Sequence, residues 1–318
     1  MDIARANETA RRVVDELGKV IIGQDGVLVQ MVVALLAGGH ALLEGVPGTA
    51  KTLMARVLSH VTGASFHRVQ FTPDLMPSDI VGVNVYNTAT GEFVFRPGPI
   101  FADIVLGDEI NRAPAKTQSA MLEAMEERTV TVDGVPHAMS RVFTVFATQN
   151  PVEFEGTYPL PEAQLDRFMF KIVIGYPEEQ REATILDKVE SGFDSSDLST
   201  AGLESVLDVA TLEALRATVR GVRVEEMVRR YVTTIIRATR SMLQVSLGAS
   251  PRAAVMLLLG AKARAVVVGR EFVTPDDVKA MALPVLRHRL LLRPEVEVEG
   301  RTADDCLNEL LLGIEVPR

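Results

Sequence analysis

The sequence predicts an α/β protein: its first half builds a parallel sheet and its second half is helical. In the first half, short apolar runs alternate with Gly/Pro-rich turns and helical stretches, a pattern that favours a parallel sheet flanked by helices. In the second half, apolar residues recur at helical spacing, and the change falls near the sequence GYP at 175–177. For 318 residues, about 150 residues per domain predicts two domains. We therefore expect an α/β core at 1–176, a connecting helix and loop at 177–207, and a helical domain at 208–318.

The elements of the core follow from the length of each apolar run and from the turn residues between runs. Asp133-Gly134 is a strong signal for a tight hairpin turn, and Pro114 suits the first turn of a helix. The predicted strands lie at 40–44, 65–70, 101–106, 142–148 and 169–174. Hairpins are predicted over 81–96 and 129–139. Helices are predicted from the loop at 45–52 to about residue 61, at 114–127 and at 161–167.

In the second half, the stretch SGFDSSDLS at 191–199 is rich in Gly, Ser and Asp and predicts an exposed loop. Thr274 precedes Pro275 and Asp276, which together indicate the start of a helix. Helices are predicted near 208–220, 225–244, 251–268, 275–290 and 303–313.

Composition excludes several classes of protein. The net charge is −9, so the chain as a whole lacks the basic footprint of a nucleic-acid-binding protein. The single cysteine, Cys306, excludes an intramolecular disulfide framework and a cysteine-type zinc site, and the five histidines lack metal-ligand spacing. The first 20 residues predict a polar amphipathic helix unlike a signal peptide, and no apolar stretch approaches the length of a membrane span. We therefore expect a cytoplasmic protein that does not insert into membranes.

The sequence GVPGTAKT at 45–52 nearly matches the phosphate-binding pattern G-x-x-x-x-G-K-[ST], with Ala50 in place of the second glycine. A strand, a tight turn and a helix start would present backbone N–H groups to a phosphate. Lys51 would reach the β- and γ-phosphates, and Thr52 would hold Mg²⁺. Ala50 costs little if its φ is negative and adds strain if φ is positive. The alternative is an ordinary strand–turn–helix. The predicted nucleotide-binding residues of this loop are Gly45, Val46, Pro47, Gly48, Thr49, Ala50, Lys51, Thr52 and Leu53.

Two carboxylates, Asp108 and Glu109, follow the apolar strand predicted at 101–106. Open α/β sheets bind ligands at the carboxyl edge of their strands. We expect Asp108 to lie near the nucleotide and its Mg²⁺, and Glu109 to polarise the attacking water. The alternative is a solvated acid pair. Asn150, at the end of the strand predicted at 142–148, would bind the γ-phosphate or orient the water, unless it is only a turn residue before Pro151.

Together these elements resemble the AAA+ ATPases, and in detail the MoxR family. The resemblance spans nearly the whole chain and is carried by LLEGVPGTAKT (42–52), VGVNVY (81–86), FRPGPIFADIVLGDEINRAPAKTQSAMLEAMEE (95–127), FATQNPVEFEGTYPLPEAQLDRF (146–168) and SPRA (250–253). It implies a P-loop NTPase core with hairpin inserts and an all-α lid.

The resemblance also implies roles for residues outside the phosphate loop. Ala50 is the usual form in this branch, and the segment containing Ile22 and Gly23 borders the adenine. Asn150 is the first sensor. Arg167 resembles an arginine finger for a neighbouring subunit, and Arg252 a second sensor, acting in its own subunit or in a neighbour. The hairpins at 81–96 and 129–139 resemble the insert in the second helix and the hairpin before the sensor strand.

The residues themselves leave simpler alternatives for these arginines. Arg167 would cap a helix, and Arg252 would be a solvated first-turn residue. For Arg112, the sequence allows either a contact with the nucleotide or a contact with a neighbouring subunit. Glu123 and Glu126 are read as a solvated helix face.

The resemblance implies an ATP- and Mg²⁺-dependent motor, assembled as a homo-oligomer and most simply as a hexameric ring. Its expected function is chaperone-like remodelling or maturation of partner proteins, typically proteins with a von Willebrand factor A domain. The alternatives are a nucleic-acid translocase, the motor subunit of a metal chelatase, and a nucleotide-gated binding module. Neither predicted hairpin tip, at 87–92 or 133–137, contains Lys or Arg, which disfavours nucleic acid.

Overall fold

The computed structural model describes residues 1–151 and 156–317, so residues 152–155 of the segment quoted at 146–168 and residue 318 of the predicted lid lie outside it. Its centre is a five-stranded sheet in the order β2-β5-β8-β1-β9, in which every neighbouring pair is parallel. The strands are β1 (Ala41–Gly45), β2 (Phe66–Gln70), β5 (Ile104–Asp108), β8 (Thr144–Gln149) and β9 (Phe170–Ile174). Because all five run the same way, their carboxyl ends meet at one edge. The predicted parallel α/β core is confirmed.

Helices and short strands complete the chain. The helices of the first half are α1 (Ile3–Val20), α2 (Asp25–Ala37), α3 (Lys51–Val61), α4 (Pro77–Val81), α5 (Ala115–Glu127), α6 (Glu162–Leu165) and α7 (Glu179–Glu190). Those of the second half are α8 (Val209–Gly221), α9 (Glu226–Thr239), α10 (Pro251–Val268), α11 (Pro275–Leu286), α12 (Pro294–Val298) and α13 (Ala303–Gly313). The short strands are β3 (Gly82–Asn87), β4 (Glu92–Pro97), β6 (Thr129–Val132), β7 (Val135–Ala138), β10 (Val245–Leu247) and β11 (Leu291–Leu292).

A continuous apolar cluster joins one face of the sheet to the helical domain. It includes Leu35 of α2, Met54 of α3, Leu215 of α8, Leu257 of α10 and Val285 of α11. Helix α2, which the sequence analysis does not predict, is largely buried between α1, α8, α10 and β9. Since α2 has no polar face, its helical period is weak in the sequence. A second apolar cluster, on the opposite face of the sheet, packs α4 and α5.

The two predicted hairpins are confirmed as β3–β4 and β6–β7, and they are fastened to each other. The ring of Phe95 stacks on His137 with centroids 3.9 Å apart. The Asn84 amide donates to Asp133 Oδ2 at 2.7 Å. The two inserts therefore form one unit, and changes at one hairpin reach the other.

Several boundaries differ from the sequence prediction. The strand expected at 101–106 is β5, Ile104–Asp108, so Asp108 is its last residue. Pro114 is the N-cap of α5 and not its first helical residue, and its extended ψ of 153° places it before the helix. The helix expected over 275–290 ends at Leu286, and the one expected over 225–244 ends at Thr239. Across residues 1–151 and 156–317, no helix is both long and apolar enough to cross a bilayer.

Candidate functional site

The loop between β1 and α3 occupies the carboxyl edge of the sheet and is shaped by three residues. A Cβ on Gly45 would lie 2.6 Å from the Ile174 carbonyl oxygen, so only glycine fits there. Gly48 has φ +83° and Ala50 has φ +61°, both in the left-handed region. The alanine therefore adopts the strained alternative considered from sequence, at a cost of about 1 kcal/mol. Helix α3 begins immediately afterwards, and its first-turn N–H groups face the loop.

The ammonium of Lys51 is held inside this loop. It donates to the carbonyl oxygens of Gly45 at 2.7 Å and Val46 at 2.8 Å. Partial burial lowers the pKa of Lys51, while the nearby carboxylates of Asp108 and Glu109 act in the opposite direction. The loop thus keeps a cation beside its N–H groups, which is the arrangement that a phosphate chain requires.

Asp108 is only 7% exposed and is surrounded by hydrogen-bond donors. Its Oδ2 accepts from Arg68 Nε at 2.9 Å and Nη2 at 2.7 Å, and from the Thr52 hydroxyl at 3.3 Å. Its Oδ1 accepts from the Thr148 hydroxyl at 2.5 Å. A buried carboxylate is tolerated only when paired and hydrogen-bonded, and here it is both. The meeting of the Thr52 hydroxyl with the Asp108 carboxylate also supplies the oxygen ligands that Mg²⁺ prefers, so this pair fits the metal.

Glu109 follows at the turn after β5 with φ +57°, a backbone conformation that non-glycine residues seldom adopt. Its N–H donates to the Thr148 hydroxyl at 2.8 Å. Its Oε2 accepts from the Gln70 amide at 3.0 Å and pairs with Arg112 Nε at 3.2 Å. Two partners therefore hold the same carboxylate oxygen at the rim of the site.

A cavity of about 480 Å³ brings most of the predicted residues together. The strand-end residues Asp108, Glu109 and Asn150 line it, and Asn150 is 7% exposed. The phosphate-loop residues on its wall are Pro47, Gly48, Thr49, Ala50, Lys51, Thr52 and Leu53, whereas Gly45 and Val46 lie behind them as acceptors for Lys51.

A second cavity of about 240 Å³ adjoins the first and shares Gly48, Thr49, Ala50, Leu53 and Ser195 with it. Its wall is mainly apolar, with Ile21, Ile22, Met54, Pro177, Ile185, Val189 and Phe193. Ile22, which the resemblance assigns to the border of the adenine, is therefore part of an apolar wall beside the loop. Gly23 turns the chain with φ +77° and packs against Arg181, outside the lining of this cavity. An apolar chamber beside a phosphate-type pocket matches the shape and polarity of a nucleoside triphosphate.

The sequence did not reveal the residues that reach the site from β2 and from the loop after α7. Arg68 and Gln70 alternate along β2, which pairs with β5, so both point toward the acid pair. Arg56 donates to the carbonyl oxygens of Ser195 at 3.3 Å and Ser196 at 3.1 Å and so ties that loop over α3. The alternation of residues along the strand at 65–70 could have predicted that Arg68 and Gln70 share a face. The contact between Arg56 and the loop joins residues about 140 positions apart, so no local pattern predicts it.

Arg167 and Arg252 line neither cavity. Instead, Arg167 Nε lies 3.1 Å from Glu126 Oε2, and Arg252 Nη1 lies 3.1 Å from Glu126 Oε1. Glu126 is exposed, as expected for a solvated helix face, and its carboxylate also pairs with both arginines. Arg252 lies in the first turn of α10 as expected, and this ion pair means that it is not merely solvated.

Comparisons with known proteins agree with this architecture. The model of the ATPase family associated with various cellular activities (AAA) matches residues 40–170, and that of the AAA lid domain matches residues 237–310. YeaC of Bacillus subtilis is 46% identical over 96% of this chain and 94% of its own length. Chaperone MoxR1 of Mycobacterium tuberculosis is 40% identical over 99% of this chain and 84% of its own. A crystal structure of a presumed ATPase from Cytophaga hutchinsonii superposes with a TM-score of 0.91 at 37% identity, covering 99% of this chain and 97% of that one.

Replacing Ala50 with glycine should stabilise the protein. Because φ at this position is +61°, Ala50→Gly removes a left-handed penalty and should raise the free energy of unfolding by about 1 kcal/mol. Urea denaturation measures the change. Ala120→Gly in the middle of α5 is the matched control and should lower the same quantity by about 1 kcal/mol. A destabilised Ala50→Gly protein would contradict the strain.

Lys51→Ala should abolish tight ATP binding, because it removes the cation held within the phosphate loop. We expect a loss of affinity on the order of 100-fold by isothermal titration calorimetry. Lys116→Ala, on the exposed side of α5, is the control and should bind ATP as the parent does. Undiminished binding by the Lys51 variant would show that the phosphates bind elsewhere.

Proposed function

This chain belongs to the MoxR family of AAA+ ATPases, and we propose that it hydrolyses MgATP to remodel partner proteins. One observation carries the proposal. A single cavity combines the phosphate loop, the Thr52–Asp108 oxygen pair, Glu109 and Asn150, and a mainly apolar chamber of about 240 Å³ adjoins it. We further propose that the nucleotide-binding core comprises residues 1–176, the connecting segment 177–207 and the lid 208–318.

Binding of the triphosphate would exchange partners within the loop. Lys51 would leave the carbonyl oxygens of Gly45 and Val46 for the phosphate oxygens, while the N–H groups at the start of α3 hold the rest of the chain. Thr52 and Asp108 would hold Mg²⁺, which neutralises charge on the phosphates when it is bound. Arg68 now neutralises Asp108, so it would yield part of that role to the metal.

Hydrolysis requires a base or polarising group beside the γ-phosphate. Glu109 suits this role because Gln70 and Arg112 fix its carboxylate at the rim of the cavity, close to the phosphate loop. Asn150, buried at the end of the neighbouring strand, would donate to the γ-phosphate or orient the water. Strands β5 and β8 are neighbours, so both groups would approach the γ-phosphate from the same edge of the sheet.

Arg167 and Arg252 would complete the site of a neighbouring subunit. Both lie outside the lining of the chain's own cavities and share one carboxylate partner. AAA+ ATPases are generally oligomeric, and a hexameric ring would place this arginine pair against the next subunit's γ-phosphate. That position would stabilise charge developing on the transferred phosphoryl group.

A polypeptide partner is favoured over nucleic acid by the fastened hairpins. Their exposed surface carries Tyr86, Phe93, Val94 and Val135, with Phe93 72% exposed. Their tips lack Lys and Arg, which nucleic-acid backbones require. The relative MoxR1 is named a chaperone. We therefore propose that hydrolysis moves these hairpins against client proteins, and that those clients include proteins with a von Willebrand factor A domain.

Glu109→Gln should bind ATP but hydrolyse it poorly, because the amide keeps the shape of the side chain and removes its basicity. We expect turnover to fall by roughly 10²–10⁴, with unchanged ATP affinity. Phosphate release and calorimetry measure the two quantities, and Glu127→Gln on α5 is the control. Turnover equal to that of the parent would assign the polarising role to another residue.

Arg167→Ala should retain ATP affinity and lose turnover by a factor on the order of 10³. Mixing it with Lys51→Ala protein should restore activity. In mixed rings, the intact arginines of a Lys51→Ala subunit would reach the intact phosphate loop of an Arg167→Ala subunit. Turnover per Arg167→Ala subunit is measured as a function of the mixing ratio. If turnover per Arg167→Ala subunit does not change with the mixing ratio, Arg167 acts within its own subunit.

A further inference from the structure

We propose that Glu126 is a positioning residue that holds Arg167 and Arg252 side by side as one anion-binding pair. The inference rests on the proposed function, in which these two arginines serve a neighbouring subunit's ATP. Glu126 itself touches no nucleotide in this scheme. It acts only through the two guanidinium groups that it binds.

The three residues come from separate parts of the fold. Glu126 lies in the last turn of α5, Arg167 follows α6, and Arg252 lies in the first turn of α10 in the helical domain. Each carboxylate oxygen of Glu126 takes one guanidinium at 3.1 Å. Within residues 1–151 and 156–317, neither arginine has a second carboxylate at ion-pair distance. Their proximity therefore depends on this one acid.

Electrostatics explains why an acid is needed at this point. Two guanidinium groups that share a carboxylate lie close enough to repel each other, and all three side chains are only about one-third exposed, at 29%, 38% and 35%. Partial burial strengthens that repulsion by reducing solvent screening. With Glu126 present, the cluster carries a net charge of +1 and its two cations remain adjacent. Without the acid, they would separate.

The pairing also leaves donors for a second anion. Arg167 approaches Glu126 most closely through Nε, and within the described residues its two terminal nitrogens donate no hydrogen bond to that carboxylate. Arg252 donates to it through Nη1, and Nε and Nη2 donate no hydrogen bond to Glu126. Guanidinium groups bind phosphate through pairs of such N–H donors. Glu126 can therefore stay bound while both arginines contact one γ-phosphate.

A second acid ties the same segment of the core to the helical domain. Asp166, next to Arg167, accepts from Arg289 Nε at 2.7 Å and from the Ser250 hydroxyl at 3.2 Å. Both donors belong to the helical domain, and Ser250 caps the helix that carries Arg252. This contact holds the lid in place without Glu126. Loss of Glu126 should therefore change the orientation of the two arginine side chains more than it changes the fold.

The test compares Glu126→Gln with Glu123→Gln, a variant of the same helix with the same change of charge. We expect Glu126→Gln to lower kcat at least tenfold, to leave the KM for ATP within twofold of the parent, and to bind ATP normally by calorimetry. Glu123→Gln should leave all three unchanged. Glu126→Asp, which keeps the charge on a shorter side chain, should recover part of kcat. Equal kcat values for the two glutamine variants would overturn the proposal, as would a Glu126→Asp protein no better than Glu126→Gln.

Mixed rings separate positioning from a purely structural role. Addition of Lys51→Ala protein should raise the turnover of Glu126→Gln subunits, because the arginines of the added subunits are correctly held. If Arg167→Ala is rescued in this way and Glu126→Gln is not, Glu126 acts within its own subunit and the inference is wrong. If neither variant is rescued, the proposed action between subunits fails, and the inference fails with it.

Discussion

The charge of Asp108 must be neutralised at the end of a central, fully buried strand, and much of the site is organised around that need. Strand β5 lies between β2 and β8, so donors reach its last carboxylate from both neighbours. Arg68 comes from β2, Thr148 from β8, and Thr52 from the helix across the edge. The same two neighbouring strands also hold Glu109. Its N–H donates to Thr148 of β8, and its side chain accepts from Gln70 of β2. Parallel register therefore sets the distance between Glu109 and the loop that follows β1.

Backbone strain lies at the two ends of this constellation. Ala50 precedes the helix that follows the phosphate loop and Glu109 follows the acid strand, and both have positive φ without being glycine. Strained residues persist where the surroundings determine them, and they concentrate at functional sites. Here the sheet and its hydrogen bonds hold both residues in these conformations. The cost of each is on the order of 1 kcal/mol, small against the burial of the surrounding core.

The sequence predicted the parallel core, both hairpins, the phosphate loop and the acid pair because each depends on local pattern. A loop pattern of eight residues and an apolar strand ending in carboxylates need no knowledge of the rest of the chain. Arg68 and Gln70 required the strand order, which brings β2 beside β5. The shared partner of Arg167 and Arg252 required three distant segments to meet, and nothing around Glu126 distinguishes it locally from Glu123. The sequence alone does not decide the sign of φ at Ala50, because alanine is compatible with either loop conformation and only the folded loop makes it positive.

The apolar cluster that runs from the sheet through α2 into the helical domain limits how these parts can move. A wide hinge opening would expose Leu35, Leu215 and Leu257 to water, at a cost of about 25 cal/mol for each Å² of apolar area. Small sliding of packed helices exposes far less surface and is a recognised form of domain motion. Any movement of the helical domain on the sheet should therefore take the form of small shear between packed helices, which keeps this shared apolar cluster buried.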